Sequence, residues 1–339
     1  IMIYSTSSYK GAVNFDDPAY YFKKQAFFGL IGIIGMIIVS KVDYHMFKHW
    51  TLIMLVGIGL TLVLVLLIGN ETKGSSRWLE LGPLRFQPSE VAKIVIILFT
   101  AHICTVKVGS LKRFKELLKA GVGPIIIIAL IAVENLSTAI ICFMIVGTIL
   151  FVASPGLKNF GIIGAVGLVL GCIFFLTAGY RMDRVDIWLH IETHPKGYQT
   201  LQSLYAIGSG GIFGKGLGQS IQKMGFIPES HNDMIFSVVC EELGLFGAVC
   251  IIAIFMLLIW RLMIIATHAD DLFGALIVIG VIAHIATQVL INIAVVTNTI
   301  PPTGVPLPFI SYGGTSLVIL LAEIGLVLSV ARQIKIEAA

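Results

Sequence analysis

Residues 233–260 read DMIFSVVCEELGLFGAVCIIAIFMLLIW, and from Leu243 to Trp260 no side chain is charged. A helix needs about 20 mainly apolar residues to cross a hydrocarbon core of about 30 Å, and this run has that length. Only helices and closed barrels satisfy their backbone polar groups where there is no water. Barrel strands alternate apolar and polar residues, whereas this run is continuous, so a helix is expected. Further runs of the same kind lie at 26–40, 50–69, 89–106, 123–134, 137–153, 160–179, 272–297 and 312–331. Hydrophobic residues make up 57% of the chain and charged residues 12%, against about 25% charged in soluble domains. The sequence predicts an all-α polytopic membrane protein, with one transmembrane domain over 1–339. About ten spans are expected, the first one truncated: Ile1-Met2-Ile3-Tyr4, followed by polar residues, reads as the outer end of a helix that begins upstream.

The net charge of +4 is small and spread over the connections, so nothing argues for a nucleic-acid partner. Basic loops suit anionic membrane lipids instead. The five cysteines, Cys104, Cys142, Cys172, Cys240 and Cys250, all lie in apolar runs without metal-ligand spacing. They read as small buried hydrophobes rather than a disulfide framework.

Orientation follows from basic residues in short loops. Lys107, Lys112, Arg113, Lys115 and Lys119, against the single acid Glu116, place 107–122 in the cytoplasm. Alternation then puts 41–49, 154–159, 261–271 and the C-terminus on that side. One helix over 123–153 would measure about 46 Å at 1.5 Å per residue, too long for the core. The polar break Glu134-Asn135-Leu136-Ser137-Thr138 splits it into two short spans. Three segments are then extracytoplasmic: 70–88, the long 180–232 and the proline-rich 298–311. Function is expected on that face, since the cytoplasmic loops are short and plain.

Gln87-Pro88-Ser89-Glu90 suits a helix start, with proline in the first turn and an acid at the positive end of the dipole. Lys93 sits one turn inside the span, where an ionisable group is a functional candidate, and Glu90 at i−3 can pair with it. Asp233 can cap the run that follows it. Ser237, Glu241 and Gly244 share its helix face, with Glu242 adjacent, so that face must look into the bundle or a wet cavity. His284, Gln288 and Asn292, each four apart, read as interhelical hydrogen-bond glue. The glycine clusters at 208–218, with Lys215, Lys223, Arg181 and Arg184 near, could form a backbone nest for phosphate. Their spacing fits neither a P-loop nor a dinucleotide fingerprint. The prolines of 301–308 enforce an extended loop, Ser311 can cap the last helix, and Glu323 is a further buried acid.

Taken together these stretches resemble the SEDS family (shape, elongation, division and sporulation). Five signatures carry the resemblance, in chain order. They are Arg77-Trp78 with Gln87-Pro88-Ser89-Glu90 and Lys93; Gly197-Tyr198-Gln199 with Gln202-Ser203 and 206–211; and Leu217-Gly218-Gln219-Ser220 with Gln222-Lys223. Pro228-Glu229 with His231-Asn232-Asp233 and Glu241-Glu242-Leu243-Gly244 is the fourth. Pro306-Leu307-Pro308-Phe309 with Ser311-Tyr312-Gly313-Gly314 is the fifth. The third pattern looks more like the FtsW and SpoVE branch than RodA. Two positions depart: the acid that the family often carries near 134–138 is absent from its usual turn, and Asn232 stands where threonine is common.

The resemblance implies a peptidoglycan glycosyltransferase that joins lipid II disaccharides outside the bacterial plasma membrane, for division or cell shape. It implies Asp233 as the key carboxylate, acting as base or as ligand of a divalent cation such as Mg2+ or Mn2+. Arg77, Glu90, Lys93, Gln199, Lys215, Lys223, His231 and Ser311 are the implied substrate-binding residues. The implied partner is a class B penicillin-binding transpeptidase. A lipid II flippase and a non-catalytic scaffold are the alternatives.

Overall fold

The computed structural model describes residues 2–68, 70–72, 75–81, 84–154, 161, 164 and 179–334, with backbone alone at 70–72, 75–81, 84–85 and 179–182. The helices are α1 (Met2–Phe15), α2 (Tyr20–Lys41), α3 (Met46–Ile68), α4 (Pro88–Val106), α5 (Phe114–Glu134), α6 (Leu136–Ala153), α7 (Gly179–Leu189), α8 (Tyr198–Gly210), α9 (Ile235–Thr267), α10 (Leu272–Val296) and α11 (Gly314–Gln333). Eight of these, α2 to α6 and α9 to α11, are long and apolar enough to cross a membrane. The expected span 160–179, with Cys172, lies outside the described residues except at 161, 164 and 179. Three short antiparallel strands, β1 (Asn70–Thr72), β2 (Ser75–Leu81) and β3 (Leu84–Phe86), occupy the connection between α3 and α4, which the sequence pattern did not resolve.

Several expected boundaries move. The N-terminal helix does not stop at Tyr4 but runs to Phe15. The hydroxyls of Thr6 and Ser7 are buried and satisfied: Thr6 donates to the Met2 carbonyl at 2.9 Å and Ser7 to that of Ile3 at 2.6 Å. The span expected at 123–134 begins earlier, at Phe114, because Glu116 in its first turn takes Lys107 at 3.1 Å and Lys119 at 2.7 Å. The break before α6 is real, and the Asn135 side chain caps that helix by accepting from the Thr138 amide at 3.2 Å. Cys104, Cys142 and Cys240 are buried as expected, but Cys250 is exposed on the apolar surface of α9.

The chain forms two compact units, each assembled from three segments. The first is 1–27, 161–257 and 288–314; the second is 28–160, 258–287 and 315–339. In the second unit α4 is largely buried, and Gly280 lets α10 close on Ile97 and Ile149: a Cβ there would meet their side chains at 2.7 and 2.9 Å. Gly325 likewise brings α11 onto the Met36 carbonyl. Such small residues allow helix backbones to approach where the solvent is lipid. Leu30, Ile38, Leu52, Leu60 and Leu67 point outward from α2 and α3, as lipid-facing side chains do.

The connections of this unit that were expected in the cytoplasm are tied together. Asp271 accepts from Tyr44 at 2.8 Å and from Lys48 at 3.1 Å, and Gln333 donates to Asp43 at 3.0 Å. The Gln333 amide, followed by the backbone and ring of His45, holds the Asp43 carboxyl down at about 2.

Candidate active site

In the first unit, Asp233 lies in the turn just ahead of α9. Three segments fix that turn. Ser230 donates to the Thr6 carbonyl on α1 at 3.2 Å, and Lys10 donates to the Pro228 carbonyl at 2.9 Å. From the proline loop, the Ser311 hydroxyl donates to the Asn232 carbonyl at 2.6 Å while accepting from the Leu307 amide at 2.8 Å. The Tyr312 amide donates to the His231 carbonyl at 2.8 Å. From α10, the Asn292 amide donates to the Asp233 carbonyl at 2.7 Å.

The side chains follow from that backbone. The buried His231 ring lies 4.8 Å from the ring of Tyr21 and 5.6 Å from that of Tyr312, centre to centre. Burial pushes the Tyr312 phenol up to about 12. Asp233 is half-buried, and Gly304 passes beside its carboxylate: a Cβ at 304 would sit 3.8 Å from Oδ2. Gly304 has φ +73°, a conformation that suits glycine.

Deeper along α9, Gly244 at φ +67° interrupts the helix. An unbroken helix would bond the amides of Leu245 and Phe246 to the carbonyls of Glu241 and Glu242. Here those amides donate to Gly211 and Ile212 at 2.9 and 3.0 Å, and the two carbonyls accept from Lys215 and Gly216 at 2.9 Å each. The loop thus takes up these two amides and two carbonyls. Charges repeat the same bond: Lys215 lies 2.8 Å from Glu241 and Lys223 lies 2.8 Å from Glu242. Glu241 also accepts from the Ser220 hydroxyl and from the amides of Ile221 and Gln222, and Glu242 from Ser5 at 2.6 Å.

The structure therefore brings His231, Asp233 and Ser311 together, and commits Lys215 and Lys223 to holding the loop on α9. Gln199 is half-buried in the first turn of α8. Arg184 donates to the Pro302 carbonyl at 3.0 Å. The side chains of Arg77 and Arg181 lie outside the described residues. In the second unit Glu90 and Lys93 pair at 2.9 Å, with Lys93 only 1% exposed, and Ser316 donates to the other Glu90 oxygen at 2.8 Å. His284 and Glu323, both fully buried, meet at 2.7 Å, which makes His284 the interhelical tie that its spacing suggested.

Sequence reasoning did not assign Asn292, Gly304, Tyr21 or Gln25 to this place. Gln25 accepts from the Gly313 amide at 3.1 Å and donates to the Ser311 carbonyl at 3.3 Å. It directly follows Lys23 and Lys24 at the start of α2, so its polarity gave no separate signal. Among the described residues no three His, Cys, Asp or Glu side chains gather into a metal cage.

The fold and this site define a multi-pass helical membrane protein that holds a half-open carboxylate at the head of a broken helix. A family model described as cell cycle protein, that of FtsW, RodA and SpoVE, matches residues 1–336. Stage V sporulation protein E of Bacillus subtilis is 38% identical over 338 residues, covering 98% of this chain and 92% of that protein. A protein of Geobacter sp. (strain M18) named "Probable peptidoglycan glycosyltransferase FtsW" is 37% identical, covering 99% and 93%. A chain of a solved peptidoglycan synthase complex superposes with a TM-score of 0.79 at 25% identity, covering 98% of this chain and 94% of that one. The rod shape determining protein RodA of Thermus thermophilus shares the fold at a TM-score of 0.69 and 24% identity, covering 99% and 95%. The chain belongs to the FtsW/RodA/SpoVE family.

Proposed function

We infer that this protein is a peptidoglycan glycosyltransferase that polymerises lipid II at the extracytoplasmic face of the bacterial plasma membrane. The observation that carries the reading is the placement of Asp233: half-buried, at the head of a helix, on a backbone pinned by Ser311 and Asn292. Family membership supplies the reaction class.

The reaction is a displacement at a sugar C1. The acceptor's GlcNAc 4-hydroxyl forms the new C–O bond and the bond to pyrophosphate breaks. The polyprenyl pyrophosphate leaves with the electron pair, and the configuration inverts from α to β. Asp233 takes the hydroxyl proton; a positioned base of this kind contributes about 10²–10⁴-fold. Charge developing on the pyrophosphate needs fixed positive groups, and preorganised stabilisation of such charge is often the main source of an enzyme's rate enhancement. Arg77 and Lys93 are the proposed cations, with Glu90 orienting Lys93. Gln199, His231 and Ser311 are proposed to shape the binding surface. Mg2+ or Mn2+ would have Asp233 as its protein ligand, although the described residues around it offer no cage of three or more His, Cys, Asp or Glu. A class B penicillin-binding transpeptidase is the proposed partner, in line with the synthase complex that this chain resembles.

The test is glycan-strand formation from lipid II by purified protein in detergent, with and without EDTA. Asp233→Asn and Asp233→Ala are expected to abolish polymer while leaving thermal unfolding unchanged. Detergent removes any meaning from flipping, so polymer formation there separates the enzyme from a transporter. Normal polymerisation by both variants would remove Asp233 from the mechanism.

A further inference from the structure

We propose that Asn292 is a positioning residue for Asp233, and this rests on the glycosyltransferase reading above. Its Nδ2 lies 2.7 Å from the Asp233 carbonyl and 2.8 Å from the Val305 carbonyl. The two carbonyls identify the nitrogen of the amide, so its orientation is fixed. The opposite atom, Oδ1, is buried with no hydrogen-bond partner among the described residues. Both donors are therefore used and the acceptor is not, which is a poor arrangement for a residue that only fills space.

The two carbonyls need an outside donor for different reasons. Asp233 stands ahead of the α9 ladder, and the Ser237 amide that could reach back to it goes to Met234 instead, at 3.2 Å. Val305 lies among Pro301, Pro302, Pro306 and Pro308, which have no N–H to offer. One turn below on α10, Gln288 takes the next carbonyl of that loop, Pro306, at 2.9 Å. Gln288 anchors the loop through Pro306, whereas Asn292 joins the loop to the Asp233 carbonyl. That joint draws Gly304 beside the carboxylate, within 3.8 Å of Oδ2 for an added Cβ. Asn292 thereby sets the direction in which the carboxylate points without touching substrate.

The experiment is steady-state polymerisation of lipid II by the full chain in detergent, giving kcat and KM separately. Asn292→Leu keeps the bulk and removes both donors. Misplacing a reacting group by about 1 Å costs on the order of 10²-fold. The expected result is a kcat fall of that order with KM within about threefold. Gln288→Leu is expected to lower thermal stability and to cost kcat far less. In an Asp233→Glu background, whose carboxylate is already displaced, Asn292→Leu is expected to add less than about threefold, because the two act as one unit. If Asn292→Leu aggregates, Asn292→Thr carries the test, with one donor in place of two and an expected kcat loss of at least about tenfold. Wild-type kcat in the variant that folds, equal losses from Gln288→Leu, or full multiplicative loss in the Asp233→Glu background each overturn the proposal. A wild-type chain that makes no polymer overturns the glycosyltransferase reading instead, so the two failures are distinct.

Discussion

Glu90→Leu strands a lysine that is 1% exposed, and the cost can be worked from the geometry. At 2.9 Å the pair attracts by about 6 kcal/mol at an effective dielectric of 20. Taking both charges out of water offsets most of that, so the intact pair is near neutral for stability. Removing one partner is different, because the remaining charge keeps its desolvation cost without the attraction, about 3–5 kcal/mol. With roughly 2 °C per kcal/mol for a chain of this size, the melting point should fall by about 6–10 °C. Lys93→Met should be milder, since Glu90 keeps the Ser316 hydroxyl and can take up a proton. The double variant Glu90→Leu/Lys93→Met should return to within about 2 °C of wild type while making no polymer. Tryptophan fluorescence during heating, in detergent, reads the stability, and lipid II polymerisation reads the function. A single variant as stable as wild type, or a double variant no better than the singles, would refute the reasoning. A stable and fully active double variant would reduce the pair to a structural role.

Two further predictions concern the rest of the fold. The Asp43 carboxyl, held at about 2 by Gln333 and His45, has a folded pKa below its unfolded value. Its contribution is therefore complete above about pH 4 and lost as pH falls towards 2; Asp43→Asn should flatten the acid limb of a stability profile, and an unchanged limb would exclude the residue. Gly214 has φ +78°, and an added Cβ would collide with the Glu242 carbonyl. Gly214→Ala should cost about 2–4 kcal/mol and open 211–226 to limited proteolysis in the folded protein. Wild-type protease resistance would show that the loop is held by its ion pairs alone.

Composition and run length were enough to reveal the spans, because lipid penalises every unpaired backbone group and leaves few solutions. Boundaries were harder. Ser5, Thr6 and Ser7 looked like the end of α1, yet short hydroxyls can bond back to their own helix or to a distant glutamate and so pass as apolar. Glu90 with Lys93 was legible because both partners lie within one turn. Lys215 with Glu241 was not: the lysine read as part of an anion nest, since nothing local announces a partner twenty-six residues away. Asn292 was visible as a polar position in an apolar helix, but its partners are backbone carbonyls, which leave no trace in a sequence.

Among the described residues, four buried acids are held by cations, and the way the main chain holds Asp233 bears on its role. Glu90, Glu241, Glu242 and Glu323 are all buried, and each sits 2.7–2.9 Å from a lysine or histidine. A carboxylate held that way is poorly placed to take a proton from a substrate, because doing so would leave its cation unpaired in a medium that does not solvate it. Asp233 is half-buried, and Asn292 and Ser311 act on its backbone, through the Asp233 carbonyl and that of Asn232 before it. Holding a residue by its main chain fixes where the side chain starts and therefore where the carboxylate points. The clip on the main chain is therefore a feature on which turnover should depend.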